Sequence, residues 1–167
     1  SHLLRYNETQ SKVVFSDSVL QRNGSSLTNL LLFNSSIYLK EDGAGMVSSP
    51  SFRGTTASQT AVVWNGININ SQFLGQTDFN TVNTLAFDNL IIKAGGGSIA
   101  YGSGAIGGSI HLNNELRFNN SLENNLLFNY GSFDNYGFNL RTNYSDEKIS
   151  LNLNFGRNGS DNDYEIP

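Results

Sequence analysis

The sequence predicts an α+β domain with a mixed sheet through about residue 114, followed by long antiparallel strands with one apolar and one polar face. Three observations point there. The first part alternates short strand-like and helix-like runs with Gly/Ser loops. The second part alternates apolar and polar residues with a period of two, over runs of about ten residues. Charge is scarce throughout. Lys, Arg, Asp and Glu make up 14% of the 167 residues, against roughly 25% in a soluble globular protein, and Asn, Ser, Thr and Gly fill the difference.

Taken in order, Val13-Val14-Phe15 is a short strand. Ser16 can cap a brief helical stretch from Asp17 to Arg22, which Asn23-Gly24 ends. Ser25 or Ser26 can cap a second stretch, Leu27 to Phe33, where Leu27, Leu30 and Leu31 share one helical face. Ile37 to Lys40 alternates as a strand, and Asp42-Gly43-Ala44-Gly45 is a turn. Thr60 to Trp64 is a strand that runs into Asn65-Gly66, the strongest short hairpin signal, with Ile67 and Ile69 opening its partner. Trp64 is expected to pack, in the core or against the strands that follow, rather than to stack on a ligand. Leu90 to Lys93 and Ser109 to Leu112 complete the sheet.

After about residue 120, Leu122, Leu126, Phe128 and Tyr130 share one parity, broken by Asn124. Tyr136, Phe138, Leu140, Thr142 and Tyr144 alternate with Gly137, Asn139, Arg141 and Asn143. Ser145-Asp146-Glu147-Lys148 is a tight polar turn. Ile149, Leu151, Leu153 and Phe155 then alternate with Ser150, Asn152 and Asn154. Aromatics sit towards the strand ends. This is the dyad period of a membrane β-barrel with aromatic girdles. A soluble β-meander with one wet face has the same period. The near-absence of Lys and Glu on the polar faces favours the barrel.

Composition also excludes several classes. With a net charge of −4 and no long basic run, nucleic acid is not an expected partner. The absence of cysteine removes thiol nucleophiles, thiolate metal sites and disulfides. No apolar run approaches the roughly 20 residues of a membrane helix, whereas a barrel strand needs only about 9–11. The N-terminal residues do not read as a signal peptide. His111 alternates with Ile110 and Leu112 and has no ligand at metal spacing, so it is expected as a structural histidine. Asp78 and Asp88 are isolated, and no Ser/His/Asp constellation can be assembled, so neither an enzyme nor a cofactor is expected. Asp161, Asp163 and Glu165 resemble half a calcium loop but lack its glycine and distant glutamate. A solvated turn is the default there, with calcium the alternative.

The most informative stretch is Lys93 to Ile110, which holds seven glycines from Gly95 to Gly108. Gly102-Ser103-Gly104-Ala105-Ile106-Gly107 is a literal G-x-G-x-x-G. A dinucleotide site needs a strand directly before that motif and a helix opening from it. Here about eight residues separate it from the preceding strand, and a strand follows. No Gly-Lys-Ser/Thr is present for a P-loop. Glycine instead permits positive φ and close backbone approach, as suits a loop packed in a confined space and able to move there.

In this stretch the chain resembles the plug of TonB-dependent outer-membrane receptors. Ile91-Ile92-Lys93, then Tyr101-Gly102-Ser103-Gly104-Ala105-Ile106-Gly107-Gly108, then Ser109-Ile110 are similar to the family's strand, glycine signature and final strand. Ser51-Phe52-Arg53-Gly54 is similar to its Ile-Arg-Gly element. Val62-Val63-Trp64-Asn65-Gly66-Ile67 resembles its strand–turn, with Asn65 where Asp is common. Tyr130-Gly131-Ser132-Phe133 resembles a segment near the first barrel strands. The resemblance covers about residues 12–160, and the proline usual after Lys93 is missing.

The resemblance implies an incomplete barrel, since the family's has about twenty-two strands. It implies residues 1–114 as plug domain and residues 115–167 as the first barrel strands, with the remainder supplied by more of the same chain or by a completing chain. No segment resembles the coupling box. The implied function is gating of energised uptake across the outer membrane of a Gram-negative bacterium. The implied partners are a TonB-type inner-membrane energy-coupling protein, outer-membrane lipid and a small-molecule or metal-complex ligand. That ligand is an iron–siderophore, cobalamin, haem or a glycan, with cobalamin receptors the nearer likeness. The alternative is a soluble β-rich binding or adhesion module. Thr55, Thr56, Ser58, Gln59, Asn68, Asn70 and Gln72 are expected to face ligand. Arg53, Gly54, Lys93, Tyr101, Gly102, Gly104, Gly107 and Gly108 are expected to be structural or gating residues. Arg53 is implied to pair with carboxylates of the barrel wall, with an exposed surface arginine the alternative.

Overall fold

The computed structural model describes residues 11–22, 27–35, 38–41, 48–52, 55–71, 73, 77–79, 82–95, 101–131 and 135–159. The chain divides into two compact units, Ser1–Asn114 and Glu115–Pro167.

The first unit is built on strands β1 (Ser11–Ser16), β4 (Thr60–Trp64), β5 (Ile67–Asn68), β6 (Asn89–Ala94) and β7 (Gly108–Asn113). They form one sheet in the order β1-β6-β7-β4-β5. Only β4 and β7 run parallel; the other neighbours are antiparallel, which makes the sheet mixed, as expected. Strands β2 (Tyr38–Glu41) and β3 (Ser48–Ser51) form a separate antiparallel pair. The sequence analysis assigns no strand at β3, which contains Pro50. In a two-stranded ladder both strands are edges, where proline is tolerated.

Helices α1 (Asp17–Arg22) and α2 (Leu27–Asn34) follow β1. Both are too short to persist alone, so packing holds them. Leu20, Leu27, Leu30 and Leu31 are all fully buried, each worth about 1.5–3 kcal/mol. They share a core with Phe15, Phe52, Val62, Leu90, Ile92, Ile110 and Leu112. The register puts Val62 beside Ile110, Ile110 beside Ile92, and Leu112 beside Leu90, on one sheet face. Their sequence neighbours Ala61, Ser109, His111 and Lys93 therefore line the opposite face. Ser16, expected as a helix cap, is the last residue of β1, and its hydroxyl bonds that of Ser18 at 3.0 Å.

The second unit is a meander of β8 (Ser121–Gly131), β9 (Asn135–Ser145) and β10 (Ser150–Gly159). Rows Leu122–Tyr144–Leu151 and Leu126–Leu140–Phe155 cross one face. Phe138 packs against Phe128 and Phe155 on the same face, with centroids 5.1 and 6.1 Å apart. The other face carries rows such as Asn143–Asn152 and Asn125–Arg141–Asn154. Leu126, Phe128 and Phe155 are 55%, 68% and 64% exposed. The turn after β9 is set by Asp146, whose carboxylate accepts the Lys148 and Ile149 amides at 2.7 and 2.8 Å. These bonds, Lys148's first, hold its carboxyl below the usual range. No helix among the described residues is long and apolar enough to cross a membrane.

Candidate functional site

The site begins at the turn after β3. Thr55 N–H donates to the Phe52 carbonyl at 2.7 Å, and its Oγ1 accepts the Phe52 amide at 3.2 Å. Residues Ala57–Gln59 then make a single 3₁₀ turn. Gln59 closes it in both directions: its amide donates to the Thr56 carbonyl, and its Oε1 accepts the Thr56 amide, each at 3.0 Å. The hydroxyls of Thr56 and Ser58 bond each other at 3.0 Å, and both residues are exposed. A compact turn thus offers two surface hydroxyls.

The glycine segment docks on this turn. Gly107 donates its amide to the Gln59 carbonyl at 3.0 Å and accepts from Gly95 at 2.9 Å. A β-carbon on Gly107 would strike Thr55 Oγ1 and lie 3.1 Å from both Cβ and Cγ2 of Thr55. One on Gly108 would lie 2.6 Å from the Lys93 carbonyl oxygen and 2.9 Å from the Phe52 ring. Two adjacent glycines are therefore required by close approach. Gly104 stands against the Ser58 carbonyl, and Gly102 opens the 3₁₀ turn Ser103–Ala105 with a positive φ of 82°. This is a fitted segment, tighter than a freely moving loop.

Beneath the segment lies the small-residue sheet face. Ala61, Val63 and Ala105 are fully buried there, with Tyr101 packed against them. His111 is buried, and its Nε2 stands 2.9 Å from Ser109 Oγ. The Tyr101 ring meets the His111 imidazole edge-on, with centroids 5.2 Å apart. Lys93 pairs with Ser109 in the β6–β7 register. Burial first, and then the Lys93 charge, lower the His111 pKa to about 4, so the ring is neutral at neutral pH. His111 is the structural histidine expected from the sequence.

The β4–β5 hairpin turns through Asn65 (φ 46°) and Gly66 (φ 88°), both left-handed as that two-residue turn demands. Trp64 does not join the core. It ends β4 at the hairpin and is 47% exposed. Its indole N–H donates to Asn114 Oδ1 at 2.9 Å. Asn114 also donates its amide to Asn65 Oδ1 at 2.8 Å and its Nδ2 to the Ala86 carbonyl at 2.7 Å. Asn68 is exposed on β5 and accepts the Asn70 amide. Asn70 is engaged with the backbone of β4. Its Oδ1 accepts the Val62 amide at 2.9 Å and its Nδ2 donates to the Thr60 carbonyl at 2.8 Å. Strand β5 is only two residues long, so the Asn70 carboxamide stands in for the missing strand along β4.

The structure thus brings Thr55, Thr56, Ser58 and Gln59 together with Gly104, Gly107 and Gly108, and sets Lys93 and Tyr101 around His111. Arg53, Gly54, Gln72, Asp161, Asp163 and Glu165 lie outside the described residues. Among the described residues no three His, Asp or Glu side chains are grouped to hold a metal ion. Sequence reasoning missed the Ser109–His111–Tyr101 cluster and the Asn114 clamp. Ser109 and His111, alternating with Ile110 and Leu112, mark a second face of the strand and could have revealed the cluster.

The TonB-dependent Receptor Plug Domain family matches residues 5–109. The chain is 28% identical over 137 residues to the vitamin B12 transporter BtuB of Vibrio vulnificus, covering 78% of this chain and 22% of that protein. It is 27% identical over 100 residues to the vitamin B12 transporter BtuB of Photobacterium profundum, covering 60% and 16%. It therefore spans about a fifth of the length of these relatives. Among solved structures, the copper transporter OprC superposes with a TM-score of 0.76 at 19% identity, over 92% of this chain and 25% of that one. A fold with a sheet-bound glycine segment, followed by two-faced antiparallel strands, agrees with that match, and the chain belongs to the TonB-dependent receptor plug family of the Gram-negative outer membrane.

Proposed function

We propose that residues 1–114 are the plug of an outer-membrane transporter, that residues 115–167 are the first strands of its barrel, and that the plug gates energised uptake of a scarce ligand. The observation that carries this reading is the docking of the glycine segment on the Thr55–Gln59 turn, through Gly107 and the Gln59 carbonyl. The turn exposes the Thr56 and Ser58 hydroxyls on one side and holds a separable segment on the other. Ligand meeting those hydroxyls and Asn68 would act on the joint that secures the segment. A TonB-type protein supplies the energy for rearrangement, and outer-membrane lipid meets the apolar face of β8–β10.

Both curated relatives named above are vitamin B12 transporters, which makes a corrinoid the first cargo to test. The uncharged hydroxyl and carboxamide groups of Thr56, Ser58 and Asn68 suit the amide-rich rim of such a molecule. The gate can be tested by a tether. Thr55→Cys with Gly107→Cys puts two thiols on β-carbons that face each other at close to disulfide reach, in a chain free of other cysteines. In the intact receptor, oxidation is expected to abolish cobalamin uptake while leaving cobalamin binding, and reduction to restore it. Undiminished uptake by the oxidised pair would refute gating at this joint.

A further inference from the structure

We infer that His111 is the positioning residue that holds the glycine segment closed on the sheet, acting through the ring of Tyr101, and that protonating it releases the segment. The inference rests on reading that segment as the moving part of the gate. It goes further by naming the latch and its trigger.

The segment touches the small-residue face through few side chains. Ala105 is buried against Ala61 and Val63 but offers one methyl group. Ile106 is 53% exposed and is not part of that cluster. Tyr101 is the one large side chain of residues 101–107 packed there. Its ring rests edge-on against His111 at 5.2 Å. An edge-to-face pair of this kind adds about 0.5–1.5 kcal/mol beyond its buried area. The imidazole cannot turn freely, because Nε2 is engaged with Ser109 Oγ at 2.9 Å. Ser109 is itself buried in the same strand.

The surroundings make the contact depend on charge. From β6, Lys93 presents a cation on the same sheet face. From β4, Ala61 and Val63 present only hydrocarbon. From the segment comes the Tyr101 ring. Among the described residues no carboxylate is set against the imidazole. A proton on His111 would therefore be buried near a lysine and, among the described residues, without a counter-ion. The lowered pKa of about 4, from burial first and then from Lys93, has the sign this geometry requires. The folded value lies below the ordinary 6.5, so the open state binds protons more readily. The closed state is fully favoured above pH 6.5 and loses ground as the pH falls towards 4. Below that it loses no more, because the closed state is then protonated too.

The experiment uses the full receptor in detergent, without ligand, carrying one spin label at Ile106→Cys. Mobility of the label is read from pH 7 to pH 3. The open fraction is expected to rise by about tenfold or more between pH 6.5 and 4, since each pH unit across that window changes the ratio by up to tenfold. His111→Phe keeps an aromatic partner for Tyr101 and cannot titrate, so its label should stay immobile throughout. If His111→Phe does not fold, His111→Gln replaces it; that variant keeps a bond to Ser109, loses the ring contact, and should be more mobile than wild type at pH 7 with no pH dependence. A flat wild-type profile overturns the latch, as does an equal rise in the non-titrating variant. The label reads segment motion alone. A working latch beside undiminished uptake in the oxidised Thr55–Gly107 tether would instead refute the gating reading.

Discussion

Replacing Gly107 with alanine isolates the joint between the glycine segment and the Thr55–Gln59 turn. The added carbon would collide with Thr55 Oγ1 and press its Cβ and Cγ2 at 3.1 Å. Rotating Thr55 about χ1 gives little relief, because a β-branched side chain keeps two heavy atoms near the same place, and Cβ does not move. Overpacking of this kind costs about 1–3 kcal/mol. Displacing Thr55 also strains the bond its Oγ1 accepts from Phe52, worth about 1 kcal/mol. Alanine returns about 0.4–1 kcal/mol by restricting the unfolded chain. The net is about 2 kcal/mol against the closed segment, or roughly thirtyfold faster opening. Hydrogen exchange of peptides spanning residues 101–113, in the intact receptor, reads that factor. Adding Thr55→Ala removes Oγ1 and Cγ2 and leaves only the 3.1 Å approach to Cβ, so the double variant should be about 1 kcal/mol more stable than the sum of the single ones predicts. Unchanged exchange in Gly107→Ala would refute the close-approach account. Strict additivity would show that Thr55 is not the obstacle.

Asn70→Ala should cost about 1–3 kcal/mol by leaving the Val62 amide and the Thr60 carbonyl without their carboxamide partners, seen as a lower urea midpoint at unchanged slope. Asn114→Ala breaks the bonds to the Trp64 indole and the Ala86 carbonyl; at this partly exposed site about 1–2 kcal/mol is expected, with a change in Trp64 fluorescence. Phe128→Lys on the apolar face should weaken insertion into vesicles by about 2–4 kcal/mol near the bilayer midplane. Asn129→Lys, one residue on and facing the other way, should change it little, and equal effects would refute the assignment of faces.

The strands of the first unit were legible because their pattern is local. Thr60–Trp64 and the Asn65–Gly66 turn stand where expected, since a positive-φ pair flanked by apolar runs specifies a hairpin almost alone. Leu27, Leu30 and Leu31 marked α2 by spacing. The 3₁₀ turn at Ala57–Gln59 was hidden, because its bonds come from an ordinary Gln side chain closing on Thr56. The role of Asn70 was equally hidden. A carboxamide that extends a strand looks, in sequence, like one more polar loop residue. Trp64 shows the limit of parity: it matches the core face, but its place at the strand end leaves it outside that core, and its indole N–H bonds a partner fifty residues away.

The two faces of the five-stranded sheet explain why a glycine-rich cover belongs here. On one face Val62, Ile92, Ile110 and Leu112 pack against α1 and α2. On the other, Ala61 and Ser109 leave shallow ground beside Val63 and His111. Only a chain nearly stripped of side chains can lie close enough to share hydrogen bonds with Gln59 and Gly95. Such a cover buries little apolar surface, so its hold on the sheet is weaker, by about 25 cal/mol for each Å² not buried, than that of the leucine-faced helices opposite. The same economy of side chains that lets the segment fit should therefore also let it open at less cost than those helices. A Tyr101→Ala variant should make this plain: exchange across residues 101–107 should accelerate well ahead of exchange in α2, whereas equal acceleration of both would mean that the two faces stand or fall together.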